Sequence, residues 1–229
     1  SYFWLLTVVI ALTASHPAPA DATGNRLDGI RTFLEQGNYT LAISTAHALL
    51  SRPSLPEHER YALLHILAQS EEGLAKIRQY TDVQAAIQAF EDLHKEFPKK
   101  FGPEKLQWKI AWLSWNKGDL ERADTAAQAI LQHHMQKPEA KRAALLHTRY
   151  LIKKKNYSAA RSTLLRYFGI DADISMREET EGFVWLAVID EAEKRTSQAY
   201  KTMQKAYASY PQAVEANPLT YAVYIRLLA

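Results

Sequence analysis

The chain has 229 residues, of which 47% are hydrophobic and 23% charged, with 8 glycines, 9 prolines and no cysteine. This is enough apolar material to bury a core and too few turn residues for a strand-rich fold, and it excludes disulfides, thiol catalysis and cysteine-based zinc sites. Twenty-eight basic side chains against 25 acidic ones leave a net charge of +3, too even a balance to mark a nucleic-acid-binding surface, so no nucleic-acid partner is expected.

Tyr2–Ala14 is an uncharged apolar run of 13 residues. A helix needs about 20 to cross the hydrocarbon of a bilayer, so the run fits the core of a signal peptide better than an anchor. Pro17 breaks it, and Ala18-Pro19-Ala20 has the small-x-small form that signal peptidase reads, which predicts cleavage between Ala20 and Asp21. Residues 1–20 are then a signal peptide, residues 21–229 form the exported body, and the expected location is periplasmic or otherwise outside the cytoplasm.

The body repeats itself. A small residue is followed by a second anchor four positions later and a third three after that: Ala42, Ala46 and Leu49, then Ala86, Phe90 and Leu93. Ala123, Ala127 and Ile130 follow, then Ala160, Leu164 and Tyr167, and finally Ala199, Met203 and Ala206; the lead alanines are 44, 37, 37 and 39 residues apart. Gly37-Asn38-Tyr39, Gly118-Asp119-Leu120 and Asn156-Tyr157 stand just before three of these copies. Gly or Asn takes the left-handed conformation that lets a helix end and the chain reverse. Upstream of the copies, helices are predicted over Asp28–Gln36, His58–Gln79, Glu104–Lys117, Glu139–Lys155 and Arg177–Arg195. Pro98 and Pro211 are read as helix stops, and Leu219–Leu228 begins a sixth unit. The expectation is an all-α chain of about five helix-turn-helix repeats plus a partial sixth. One hairpin cannot bury its apolar face alone, so neighbours stack into a superhelix.

Helix Glu104–Lys117 is apolar on two sides. Trp108, Trp112 and Trp115 share one face, and Leu106, Ile110 and Leu113 share another, centred roughly 160° away. Such a helix is either sandwiched or presents one side for binding. The basic runs Lys99–Lys100 and Lys153–Lys155 read as a solvated loop and a helix end.

The Gly-Asn-Tyr turn, the alanine-to-phenylalanine spacing of Ala86 and Phe90, and the trailing proline resemble the tetratricopeptide (TPR) family over about residues 27–229. The periods exceed that family's 34 residues, and its Trp-x-x-Leu-Gly opening is blurred. The resemblance implies a right-handed superhelical solenoid whose first helices line a concave groove. In the register of Ala123 the three tryptophans fall on groove positions; the same register gives Arg142, Leu145, Arg149, Ile152 and Lys153 in the next repeat, and Glu181, Val184, Val188 and Glu191 in the one after. An aromatic floor beside a basic wall suits an apolar segment carrying acidic groups.

No HExxH, glycine-rich phosphate loop or GxSxG elbow occurs, so no cofactor, metal or catalytic residue is expected. His133 and His134 are adjacent on a helix and point about 100° apart, which does not make a shared metal site. Asn38-Tyr-Thr and Asn156-Tyr-Ser match the N-glycosylation acceptor, but both coincide with the repeat's turn. The expected function is a non-catalytic protein-interaction scaffold of the bacterial envelope type. Two other readings stay open: the helical superhelix of a larger wall-cleaving, transglycosylase-like enzyme, and a polysaccharide-export scaffold.

Overall fold

The computed structural model describes residues 21–168 and 175–228, so the expected signal segment lies outside the described residues. Every regular element in them is a helix. Five hairpins follow one another: α1 (Asp21–Glu35) with α2 (Tyr39–Leu50), α3 (Glu57–Ile77) with α4 (Gln84–Glu96), α5 (Pro103–Lys117) with α6 (Leu120–His133), α7 (Pro138–Lys153) with α8 (Tyr157–Phe168), and α9 (Met176–Ala192) with α10 (Thr196–Ser209). A short α11 (Pro211–Ala216) leads into α12 (Pro218–Leu228).

Four of the five first helices match their expected spans to within a few residues. The exception is α1, which starts seven residues before Asp28, over a polar stretch with no apolar spacing to reveal it. Pro211 does more than stop a helix. It sits at the first position of α11, where a missing N–H costs nothing and the fixed φ suits helix entry. Pro103 and Pro138 open α5 and α7 in the same way.

The repeat's anchors form the core. All five lead alanines are buried, and Phe90, Leu93, Ile130, Leu164, Tyr167 and Met203 are fully so. The small residue lets paired helices approach, and the larger anchors fill the space beyond it. Successive first helices touch, α1 with α3, α5 with α7 and α7 with α9, whereas the second helices α2, α4, α6 and α8 make no comparable contact with one another. The first helices therefore line the inner face of the solenoid, and clefts open between the second helices.

The hairpin turns share one hydrogen-bond pattern. In the third repeat, Asp119 N–H donates to Ser114 O at 2.9 Å and Gly118 N–H to Trp115 O at 3.0 Å. In the fourth, Asn156 N–H donates to Leu151 O at 2.9 Å and Lys155 N–H to Ile152 O at 2.9 Å. This six-to-one, five-to-two pairing closes a helix on a left-handed residue. Gly37 and Gly118 fill that position with φ of 75° and 91°. In the fourth turn it is Lys155, at φ 58°, and not Asn156 that goes left-handed. Asn156 instead accepts Ala159 N–H at 3.3 Å and opens α8. Lys194, at φ 61°, does the same as Lys155 in the fifth repeat.

Candidate functional site

The inner face carries a ladder of ion pairs between successive first helices. Glu72 of α3 meets Lys109 of α5 at 2.6 Å. Arg142 and Lys141 of α7 meet Glu178 and Glu179 of α9 at 2.7 and 2.9 Å, and Arg149 pairs with Glu181. Glu191 of α9 pairs with Arg226 of α12. Between α5 and α7, as between α1 and α3, no ion pair joins the first helices among the described residues. There Trp108 and Trp112, stacked at a centroid distance of 6.0 Å and an interplanar angle of 29°, face Arg142, Leu145 and Arg149 across a groove of about 480 Å³.

Local chemistry fixes these side chains. Ser175 and Glu178 form a capping box at the start of α9, with the Ser175 hydroxyl accepting Glu178 N–H and the Glu178 carboxylate accepting Ser175 N–H. Burial opposes ionisation of Glu178, but the bonds from Ser175 and from Arg142 prevail and hold its carboxyl below the usual range. Glu181 accepts the Trp185 indole N–H at 2.8 Å, and the Arg149 guanidinium lies 5.7 Å from the centre of that indole ring. The imidazole of His65 in α3 has its pKa pushed down by burial and by Lys109 and Lys105 nearby.

The three expected tryptophans divide. Trp108 lines the groove and also packs on the core of the third repeat. Trp112 lines the groove. Trp115 turns to the core and carries Lys153 Nζ at 5.8 Å from its ring centre. The opposite stripe is packed too, with Leu106 and Ile110 against the core of the first two repeats and Leu113 fully buried. Helix α5 is thus sandwiched along most of its length and open at Trp108 and Trp112.

Arg142 and Arg149 do line the groove, though as paired cations rather than a bare basic wall. Lys153 does not line it. Val184 is 1% exposed and sits in a core cluster with Ala187, Ala199, Met203 and Val223, so it offers no surface; Val188 packs against the same cluster. The acidic partners Glu178 and Glu181, and the exposed Arg177 at the groove's edge, also line it. Of these, Glu178 and Arg177 are residues that the groove register did not assign. A signal for the acidic partners existed. Acid and base are 36 apart for Arg142–Glu178, 32 for Arg149–Glu181 and 37 for Glu72–Lys109, close to one repeat.

No family model matches the sequence, and no curated protein does. Among solved structures, the chain is similar to a tetratricopeptide repeat protein from Parabacteroides merdae ATCC 43184, with a TM-score of 0.64 at 13% identity over 90% of this chain and 72% of that one. The fold is TPR-like. A thermophilic TPR protein of Thermus thermophilus also aligns, at 15% identity over 90% of this chain and 98% of that one, with a TM-score of 0.48. The TPR-like chain departs from its own ion-pair pattern at one place only among the described first-helix junctions from α5 onward, and that place is the tryptophan groove. Among the described residues no helix is long and apolar enough to cross a membrane, and no three potential metal ligands converge.

Proposed function

We propose that this protein is a non-catalytic scaffold that is exported to the cell envelope and holds a segment of another protein in the α5–α7 groove. The observation that carries this reading is the half-buried Trp108–Trp112 pair, set where the inner face exchanges ion pairs for aromatic surface. Indole rings supply large contact area at low entropic cost and recur as interface hot spots. Arg177 has no carboxylate partner among the described residues and lies at the groove's edge, which suits a segment with apolar side chains and an acidic group. The apolar run Tyr2–Ala14 with Ala18-Pro19-Ala20 after it supports export.

The test is a crosslinked pulldown from the native envelope with the natural protein and with Trp112→Ala, each checked for helix content. A protein partner captured by the first and lost from the second supports the reading. A partner captured equally by both puts the interface elsewhere. N-terminal sequencing of the mature protein from its host should begin at Asp21; a chain that retains Tyr2–Ala14 argues for an anchor.

A further inference from the structure

A second concave site lies on the opposite side of the solenoid, in the cleft between second helices α6 and α8, with α7 as its floor. It encloses about 480 Å³ and is lined by Gln132 and Leu131 from α6, Met135 from the turn after it, Thr163 and Arg166 from α8, and His147 from α7, among others. The equivalent junction one repeat earlier is apolar. There the residue after the lead alanine is Ile87, the residue thirteen before the next lead alanine is Ile110, and both pack in one core cluster. At the junction of the third and fourth repeats the same two positions hold Asp124 and His147. An apolar contact between repeats has become a polar one at the cleft's floor, where burial makes polarity expensive unless it is used.

The polar groups are fully arranged. Asp124 is 4% exposed, and its carboxylate accepts from His147 Nδ1 at 2.5 Å and from Gln128 Nε2 at 2.6 Å. Nδ1 is committed to Asp124, so Nε2 is the ring nitrogen left for a ligand, and it bonds nothing among the described residues; with the ring proton on Nδ1 it is an acceptor. Among the described residues the one side-chain hydrogen bond of Arg166 goes to Met135 Sδ, at 3.9 Å, and no carboxylate lines the cleft. The groove on the inner face is different, because Lys109, Arg142 and Arg149 there are paired with Glu72, Glu178 and Glu181.

We propose that this cleft binds a small hydroxycarboxylic acid. Its carboxylate pairs with Arg166, its hydroxyl donates to His147 Nε2, and its carbon body lies against Leu131, Met135 and Ala144. A fork of guanidinium donors fits a carboxylate, and a fixed imidazole acceptor discriminates a hydroxyl from a methyl group. The size matches ligand pockets in general.

The test uses 3-hydroxybutyrate as probe, with butyrate and inorganic phosphate as controls, on the whole chain. Binding is read from side-chain NMR signals of His147 and Met135. Saturable shifts are expected with a Kd on the order of millimolar for so small a ligand. Butyrate and phosphate should bind about tenfold more weakly or not at all. Arg166→Gln should lose about tenfold or more. The double variant Asp124→Ile with His147→Leu restores the apolar pairing of Ile87 and Ile110 and should stay folded, yet lose discrimination between 3-hydroxybutyrate and butyrate, followed at Met135. Trp112→Ala should leave binding unchanged. No saturable shift, equal binding of phosphate, or full discrimination in the folded double variant overturns the proposal.

Discussion

Trp112 lies one helical turn beyond Trp108 and stacks on it at 6.0 Å, while Trp115, three residues further, turns away to pack against the core. One face of one helix therefore contains two kinds of tryptophan. Trp112→Ala should cost about 1–2 kcal/mol of stability, for a half-buried ring that loses one stacking partner. Trp115→Ala should cost more, about 2–3 kcal/mol, because its partly buried ring packs against the core cluster of the third repeat. Urea unfolding of both variants checks this, and equal losses would mean that Trp112 is packing as well.

That division marks where the sequence stops being informative. The anchors Ala86, Phe90 and Leu93 are legible because helical spacing and burial are the same fact seen twice, and the core follows them closely. The turns are legible where glycine stands, and less so at Lys155 and Lys194, which adopt the left-handed conformation against their own preference. The ion-pair ladder joins residues about one repeat apart, so no local window contains both partners. Val184 shows the same limit from the other side: family register places it on the groove, but the packing of α9 on α10 and α12 buries it.

Lys155 and Lys194 hold φ of 58° and 61°, where Gly37 and Gly118 hold 75° and 91° in equivalent turns. A side chain in this region costs about 1–2 kcal/mol, and glycine gives back part of that gain through its freer unfolded chain. Lys155→Gly and Lys194→Gly should each stabilise by about 0.5–1 kcal/mol. Gly118→Ala should destabilise by about 1 kcal/mol, for a backbone reason alone, since a Cβ there would meet nothing within 4 Å. Thermal unfolding of the three variants should show the two signs; a destabilised Lys155→Gly would contradict the strain.

Glu178 links the α9 cap to the ion-pair ladder. Its carboxyl is held below the usual range despite burial, so its folded value lies under its unfolded value of about 4.3. A group depressed in this way contributes fully above the unfolded value, and the contribution disappears as pH falls through the folded one. Glu178→Gln should therefore be less stable than the natural protein at neutral pH and converge with it under acid. Ser175→Ala should cost about 1 kcal/mol at neutral pH, as lost caps do, and should flatten the same acid limb. Denaturation midpoints measured from neutral pH down to about pH 3 test both; parallel curves for Glu178→Gln and the natural protein would remove the cap's role in the pH response.

Gly73 sits inside α3, where alanine would ordinarily gain about 1 kcal/mol in helix propensity. The ring of Tyr39, the first residue of α2, occupies the space instead, so that a Cβ at Gly73 would lie 2.5 Å from its nearest carbons. The glycine thus lets the start of α2 close onto α3, the contact that docks the first repeat on the second. Gly73→Ala should destabilise by about 1–2 kcal/mol, the overpacking cost exceeding the propensity gain. In a Tyr39→Ala background the ring is gone, and the same change should become stabilising by about 0.5–1 kcal/mol. The reversal of sign across this double-mutant cycle is the measurement, because it separates the steric cause from any general effect of altering α3. If Gly73→Ala keeps the same sign in both backgrounds, the close approach of Tyr39 does not explain the glycine.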